Sequence, residues 1–177
     1  MRRYVLTGTP GSGKTALLRR LEIDGYAVVE EAATDVIALR QAYGIDEPWR
    51  DPVFLDRIVD LQRRRQLAVD RDVALFDRSP VCTLALSRHL GISASTGLRA
   101  EIDRILAERI YEPTVFFVRH QGFVRPTAAR RISFEESLSF ERIHETTYLE
   151  LGFTLVEVPA APLEVRAEVI RKTVGPR

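Results

Sequence analysis

Five short apolar runs recur along the chain, each bounded by charged residues, glycine or proline. They are rich in β-branched and aromatic residues and too short for helices, so the pattern predicts strands. The predicted strands cover residues 3–7, 26–29, 73–76, 114–118 and 154–158.

Longer segments with apolar residues at helical spacing separate these runs. The clearest is 53–71, in which apolar positions repeat every three or four residues. Ser133 and Glu136 have the spacing of a capping box, which predicts the start of another helix that ends near residue 151, before Gly152. The other predicted helices cover 15–22, 32–43, 82–90, 96–109 and 162–172.

Strands that alternate with helices of this length predict one parallel sheet with helices on both faces. We therefore expect an α/β fold in which residues 1–177 form a single domain, a length that can bury a substantial core. In such sheets ligands bind at the carboxyl ends of the strands. Functional residues are therefore expected in the segments that follow strands.

Composition restricts the partners and the location of the protein. The formal net charge of +1 gives no electrostatic case for nucleic acid, and no apolar stretch is long enough for a membrane span. A single cysteine, Cys82, excludes an internal disulfide and fits a reducing compartment. No signal peptide precedes the first strand. We expect a cytoplasmic protein without nucleic-acid or membrane partners, of open oligomeric state.

The segment between the first strand and the first helix carries the strongest motif. It reads Gly-Thr-Pro-Gly-Ser-Gly-Lys-Thr, a complete G-x-x-x-x-G-K-[ST] phosphate-binding loop in its strand–loop–helix setting. Glycines allow successive backbone N–H groups to converge on phosphate oxygens, and the helix N-terminus points at the same place. The predicted nucleotide-binding residues are Gly8, Thr9, Pro10, Gly11, Ser12, Gly13, Lys14 and Thr15.

Two side chains of this loop have expected roles of their own. Lys14 is expected to reach the β- and γ-phosphates of a nucleotide, and the hydroxyl of Thr15 to coordinate Mg²⁺. Among 26 basic residues only Lys14 and Lys172 are lysines. A lysine here, in a chain that otherwise uses arginine, indicates that the loop needs a compact ammonium group.

A second motif, Asp77-Arg78-Ser79, follows the third predicted strand. A carboxylate that ends a buried strand beside the phosphate-binding loop can hold Mg²⁺ through water, although Asp77 has the alternative role of a turn residue. Arginine follows Asp77 where a hydrolytic motor ATPase commonly has a second acid. No Asn-Lys-x-Asp stretch is present to recognise guanine, which disfavours a switch GTPase.

These motifs together resemble the small AAA-family P-loop ATPase/kinase group that includes the nicotinamide riboside kinase part of bacterial NAD-regulatory proteins. The similar segments are 7–15, 25–33, 76–80 and 148–159. The Asp77-Arg78-Ser79 turn also resembles that of deoxynucleoside kinases, in which the acid serves metal and catalysis and the arginine contacts the acceptor. The resemblance implies a three-layer P-loop NTPase fold of nucleoside/nucleotide-kinase type, with a five-stranded parallel sheet and with ATP and Mg²⁺ as cofactors.

Glu30 and Glu31 follow the second predicted strand. In small-molecule kinases that the chain resembles, this position supplies a carboxylate that accepts the proton of the acceptor hydroxyl. Adjacent side chains on a strand face opposite ways, so only one of the two should enter the cleft, and the sequence does not choose between them. The alternative is that both are solvated acids at the start of a helix, where negative charge is favourable.

The segment 120–131, called the lid segment below, contains three arginines: Arg125, Arg130 and Arg131. In nucleoside and nucleotide kinases a lid after the fourth strand brings arginines onto the transferring phosphoryl group, where they stabilise its spreading charge. The alternative for each arginine is a place in a solvated basic loop.

Two hypotheses for the function remain. The first is an ATP-dependent kinase that moves the γ-phosphoryl group onto a small-molecule acceptor, at a hydroxyl or phosphate of a nucleoside-like or other metabolite. The second is a nucleotide-dependent regulatory ATPase, a switch that acts on a protein partner. The acids after the second strand, the Asp77-Arg78-Ser79 turn and the arginines of the lid segment favour the kinase. The acceptor is not identified by the sequence.

Overall fold

A computed structural model describes residues 1–122 and 133–175. Its single sheet has the order β2-β3-β1-β4-β5, and all of its paired strands are parallel. The strands are β1 (Arg2–Thr7), β2 (Ala27–Val29), β3 (Val73–Asp77), β4 (Thr114–Val118) and β5 (Thr154–Val158). The predicted α/β fold with five parallel strands is confirmed.

Seven α-helices and one short 3-10 helix (Pro48–Arg50) lie between and after these strands within the described residues. The α-helices are α1 (Lys14–Ile23), α2 (Ala32–Ala42), α3 (Phe54–Ala68), α4 (Pro80–His89), α5 (Thr96–Ala107), α6 (Phe134–Glu150) and α7 (Leu163–Val174). The capping box at the start of α6 is confirmed, because Ser133 and Glu136 each accept a hydrogen bond from the other's backbone N–H.

Side chains that alternate along the strands divide the core into two layers, one on each face of the sheet. On one face Tyr4 and Leu6 pack with the buried sides of α1 and α7. On the other face Val5 and Phe76 pack with residues of α3, α4, α5 and α6. A smaller apolar cluster joins α2 to α3 beside the sheet. The sheet therefore lies between two helical layers.

The helices differ from their predicted bounds by at most three residues at either end, and two of these differences have clear local reasons. α4 begins at Pro80, two residues earlier than predicted, because Ser79 caps it and proline is favoured at the first helical position. α3 ends at Ala68, three residues early, because Val69 is already extended and the chain must turn back into β3. None of the helices in residues 1–122 and 133–175 is long and apolar enough to cross a membrane.

The strand register places the predicted site residues at one edge of the sheet. β1 and β3 pair Leu6 with Asp77, and β2 and β3 pair Val29 with Phe76. The phosphate-binding loop, the Glu30-Glu31 pair and the Asp77-Arg78 pair therefore leave three adjacent strands at their carboxyl ends.

Gly8 has to be a glycine for the loop to leave β1 as it does. Its φ of +128° is one that other residues rarely adopt, and a Cβ there would lie 2.2 Å from the carbonyl oxygen of Val118 in β4. The backbones of Gly8 and Val118 cannot move apart without disturbing the pairing of β1 with β4. Their close approach therefore fixes where the loop begins.

We predict that Gly8→Ala lowers the free energy of unfolding by about 3 kcal/mol, because backbone strain and a clash with main chain add together. Gly91→Ala is the matched control. Gly91 also has a positive φ, +66°, but its Cβ would meet nothing within 4 Å. It should lose only about 1 kcal/mol. Urea unfolding of both variants is the measurement, and equal losses would contradict this account.

Candidate functional site

The phosphate-binding loop runs from the end of β1 to the start of α1. Three of its glycines, Gly8, Gly11 and Gly13, have positive φ values of 128°, 86° and 82°. Gly13 occupies the cap position of α1, and no side chain there bonds to the helix N-terminus. The first N–H groups of α1, which point along the helix axis, therefore have no side-chain acceptor at that cap and suit an anion.

Lys14 lies inside the curve of this loop and is almost completely buried. Its Nζ donates to the carbonyl oxygens of Gly8 (3.0 Å) and Thr9 (2.8 Å) and to the Oγ of Ser12 (3.1 Å). Burial, and next the positive charge of Arg78, lower the pKa of Lys14 to about 8. A phosphate anion would compensate both effects, so the loop is suited to binding one.

A cavity of about 460 Å³ opens beside the loop. Its polar part is formed by Lys14, Thr15, Glu31, Asp77 and Arg78. The rest of the lining is mainly apolar and includes one buried polar pair, in which the hydroxyl of Thr83 donates to Oε1 of Gln62 at 3.0 Å. The apolar lining residues include Ile37, Ile58, Leu86 and Phe140. A small molecule bound there would have one end at the loop.

Arg78 contacts residues of β1, the start of α2 and α6 at this cavity. Its φ of +74° is rare for a residue with a side chain, and its N–H donates to the carbonyl oxygen of Leu6 at 3.0 Å. Its guanidinium Nε lies 2.6 Å from Oε1 of Glu31, and Nη1 lies 2.9 Å from Nε2 of His144. The strained backbone is thus held by contacts on both sides.

The structure separates Glu30 from Glu31. Glu31 lines this cavity and a neighbouring one of about 210 Å³, and only 24% of its side chain is exposed, whereas Glu30 is exposed and lines the neighbouring cavity. Burial opposes ionisation of Glu31, but Arg78 and Lys14 outweigh it and hold the pKa of Glu31 below its ordinary value. Glu31 also takes the cap position of α2 without a capping hydrogen bond.

His144 of α6 is a site residue that sequence reasoning missed. Its Nδ1 lies 3.0 Å from the carbonyl oxygen of Phe140, which can only accept, so Nδ1 carries the proton and Nε2 accepts from Arg78. Burial, and next Arg78, hold the pKa of His144 well below its ordinary value. The available signal was the spacing of Phe140, His144 and Tyr148, which puts all three on one face of the helix.

Tyr148 continues this face of α6 behind the site. Its hydroxyl is 2.7 Å from the Oγ of Ser79 and 3.1 Å from the Sγ of Cys82, which is itself 3.3 Å from the Oγ1 of Thr7. All four residues are buried. The network connects the end of β1, the start of α4 and α6, and so fixes the turn that carries Arg78.

The side chains of Thr15 and Asp77 have the chemistry that the predicted Mg²⁺ site needs. Both border the two cavities beside the loop, and both offer oxygen ligands. The described part of the chain has no group of three His, Cys, Asp or Glu residues that could hold a metal alone. Proteins commonly bind Mg²⁺ through one or two side chains and the phosphates of a substrate, and Thr15 and Asp77 could contribute in that way.

The three arginines of the lid segment, Arg125, Arg130 and Arg131, lie outside the described residues. Their expected role on the transferring phosphoryl group stays a prediction. Arg119, just before the lid segment, is held by Glu141, Glu145 and Glu157, with distances of 3.0 Å to each of the first two.

A family model agrees with this geometry. The model described as AAA domain (AAA_28) matches residues 3–166, which is most of the chain. No curated protein sequence is significantly similar to the chain.

Solved structures with the same fold include two kinds of protein. A deoxyadenosine kinase from M. mycoides, solved with the products dCMP and a flexible dCDP bound, has a TM-score of 0.65 at 16% identity over 97% of both chains. The NadR protein in complex with NR has a TM-score of 0.70 at 14% identity over 99% of this chain. The chain spans 51% of that NadR chain.

At these identities the structural likeness shows the fold. It confirms the predicted P-loop NTPase fold of nucleoside-kinase type, and it confirms the resemblance that the motifs indicated. The chain is therefore a nucleotide-binding P-loop domain.

We predict that nucleotide affinity falls as the pH rises above 8. Below pH 8 Lys14 is protonated both in the free protein and beside bound phosphate, so this group adds no pH dependence. Above pH 8 the free protein must take up a proton to bind, so the dissociation constant of ADP should rise about tenfold per pH unit. Calorimetric titration with ADP between pH 7 and 9.5 measures this effect.

Lys172→Arg is the control for this experiment, because Lys172 is exposed and lies on α7. That variant should keep the full pH dependence. A dissociation constant that stays constant up to pH 9.5 in the unmodified protein would show that Lys14 does not titrate in this range.

Proposed function

The chain belongs to this AAA domain family of P-loop proteins, and on that premise we propose that it is an ATP-dependent small-molecule kinase. It transfers the γ-phosphoryl group of ATP to a hydroxyl group of a small, uncharged, nucleoside-like acceptor. The observation that carries the proposal is the position of Glu31. Its carboxylate enters the same cavity as Lys14 and is oriented there by Arg78.

The charges of the cavity favour a hydroxyl over a phosphate as the acceptor group. Among the described residues, the cationic side chains that line it are Lys14 and Arg78. Lys14 belongs to the nucleotide loop, and Arg78 is already paired with Glu31. A second phosphate group would add negative charge beside Glu31 and Asp77 without a further lining cation among the described residues, whereas a hydroxyl can donate to Glu31.

The apolar part of the cavity supports an acceptor that carries a ring. Phe140, Ile37 and Leu86 offer flat and aliphatic surface, and the amide of Gln62 is nearly buried in the wall. Such a pocket binds by apolar contact and uses a few polar groups to set orientation.

In the proposed reaction the acceptor oxygen forms a bond to the γ-phosphorus while the bond between that phosphorus and the β–γ bridging oxygen breaks. ADP leaves with the electron pair, and the hydroxyl proton passes to Glu31. Lys14 and the N–H groups of the loop bind the β- and γ-phosphates. Thr15 and Asp77 would hold Mg²⁺, which neutralises charge on those phosphates when bound.

The low pKa of Glu31 suits this chemistry. The transition state for phosphoryl transfer has little bond formation to the acceptor, so the proton leaves late and the carboxylate mainly orients the hydroxyl. Because Arg78 keeps the carboxylate of Glu31 ionised at neutral pH, this carboxylate can accept a hydrogen bond from the acceptor hydroxyl. The arginines of the lid segment are proposed to stabilise the charge on the transferring phosphoryl group.

A panel of acceptors tests the proposed function. ATP consumption is measured against neutral nucleosides and other hydroxyl compounds, each paired with its own monophosphate. We expect ADP and a new phosphomonoester to form in equal amounts with a neutral acceptor and not with its monophosphate. Hydrolysis of ATP to inorganic phosphate that no acceptor changes, but a protein partner stimulates, would favour the regulatory ATPase.

The two glutamates give a matched pair of variants. Glu31→Gln should lower the transfer rate by roughly 10²–10⁴, because it removes the group that orients the hydroxyl and accepts its proton. Glu30→Gln makes the same chemical change one residue away on an exposed side chain and should leave the rate within about twofold. Steady-state transfer rates of both variants are compared at saturating ATP. Equal losses would mean that neither acid is the base.

A further inference from the structure

Arg166 in the first part of α7 is a buried cation that the proposed reaction does not use. Only 4% of the residue is exposed, and burial lowers its pKa. Among the described residues no carboxylate pairs with it, and its Nε has no hydrogen-bond partner. Burying a charge without an opposite charge costs free energy, so we expect Arg166 to have a function that offsets this cost.

Its guanidinium touches the phosphate-binding loop from outside. Nη2 donates to the carbonyl oxygen of Ser12 at 2.5 Å. Nη1 lies 2.8 Å from the point that a Cβ on Gly13 would occupy. Gly13 thus serves two needs at once: its positive φ turns the chain into α1, and its missing side chain admits the guanidinium.

The contact sets the direction of a loop N–H. The described chain has no cis peptide bond, so the carbonyl of Ser12 and the N–H of Gly13 point in opposite directions. With the carbonyl held on the side of α7, the N–H of Gly13 points to the other side of the loop. No hydrogen bond within the described residues uses that N–H, and Gly13 lines the cavity.

We propose that Arg166 is a positioning residue for nucleotide phosphate. It holds the Ser12 carbonyl outward, which aims the Gly13 N–H into the cavity, and it places one positive charge directly behind the loop. The compensating anion is the polyphosphate of the nucleotide, bound on the opposite face of the same peptide. This inference rests on nucleotide binding by the loop and is independent of the acceptor.

Arg166→Met separates this role from a purely structural one. Methionine fills a similar volume without charge, and replacing a buried unpaired charge by an apolar side chain is neutral or stabilising. We therefore expect the midpoint of urea unfolding without ligand to stay constant or rise, while the dissociation constant of ADP rises about tenfold. A residue that only fastened α7 to the loop would lower stability when removed.

Arg171→Met on the same helix is the matched control. Arg171 pairs with Asp24 (2.8 Å), Glu168 (2.9 Å) and Glu164, and none of these lies in the loop. This variant should leave ADP affinity within about twofold, since its contacts are remote from the loop. Arg166→Lys keeps the charge and should recover most of the affinity, with a dissociation constant about threefold above that of the unmodified protein.

The outcomes are distinguishable. Unchanged ADP affinity in Arg166→Met would overturn the proposal, and so would an equal loss of affinity in Arg171→Met. If Arg166→Met does not fold, Arg166→Gln, which also removes the charge, takes its place, and ADP affinity equal to that of the unmodified protein in that variant would overturn the proposal. Because ADP binding needs no acceptor, failure here would leave the proposed kinase reaction untouched, and failure of the acceptor panel would leave this test valid.

Discussion

The ion pair between Arg78 and Glu31 is the constraint on which the site depends. It connects Arg78, which follows β3, to Glu31, which lies just after β2. Both residues lie at the carboxyl ends of the strands, where the phosphate-binding loop leaves β1. Removing one partner would leave the other charge in a poorly solvated place, at a cost of about 3–5 kcal/mol when burial is complete and less here, where Glu31 keeps 24% exposure. The pair therefore fixes the geometry of the carboxylate more than it stabilises the fold.

The pair is supported from α6, the helix that follows the lid segment. His144 accepts from Arg78, and Tyr148 bonds to Ser79 and Cys82 in the adjoining turn. On the other side of the sheet, α7 contacts the phosphate-binding loop through Arg166. The phosphate-binding loop and the proposed acceptor side of the cavity are thus supported by different helical layers and meet where the strands end.

The local pattern of apolar and polar residues was sufficient to predict much of the fold. β4 and β5 were predicted at their observed bounds because proline or glycine and charged residues delimit short β-branched runs. The choice between Glu30 and Glu31 was beyond the sequence, because strand alternation says that two neighbours diverge but not which faces the cavity. His144 and Arg166 were missed because their partners lie 66 and 154 residues away, and no local pattern encodes such a contact.

The central claim is that Arg78 acts through Glu31 to orient the acceptor hydroxyl. A double-mutant cycle on the transfer rate, with Arg78→Met, Glu31→Gln and the double variant, tests it most directly. If the two residues act as one unit, the double variant should be no slower than Glu31→Gln alone. Losses that multiply, so that the double variant falls by the product of the two single effects, would contradict the account.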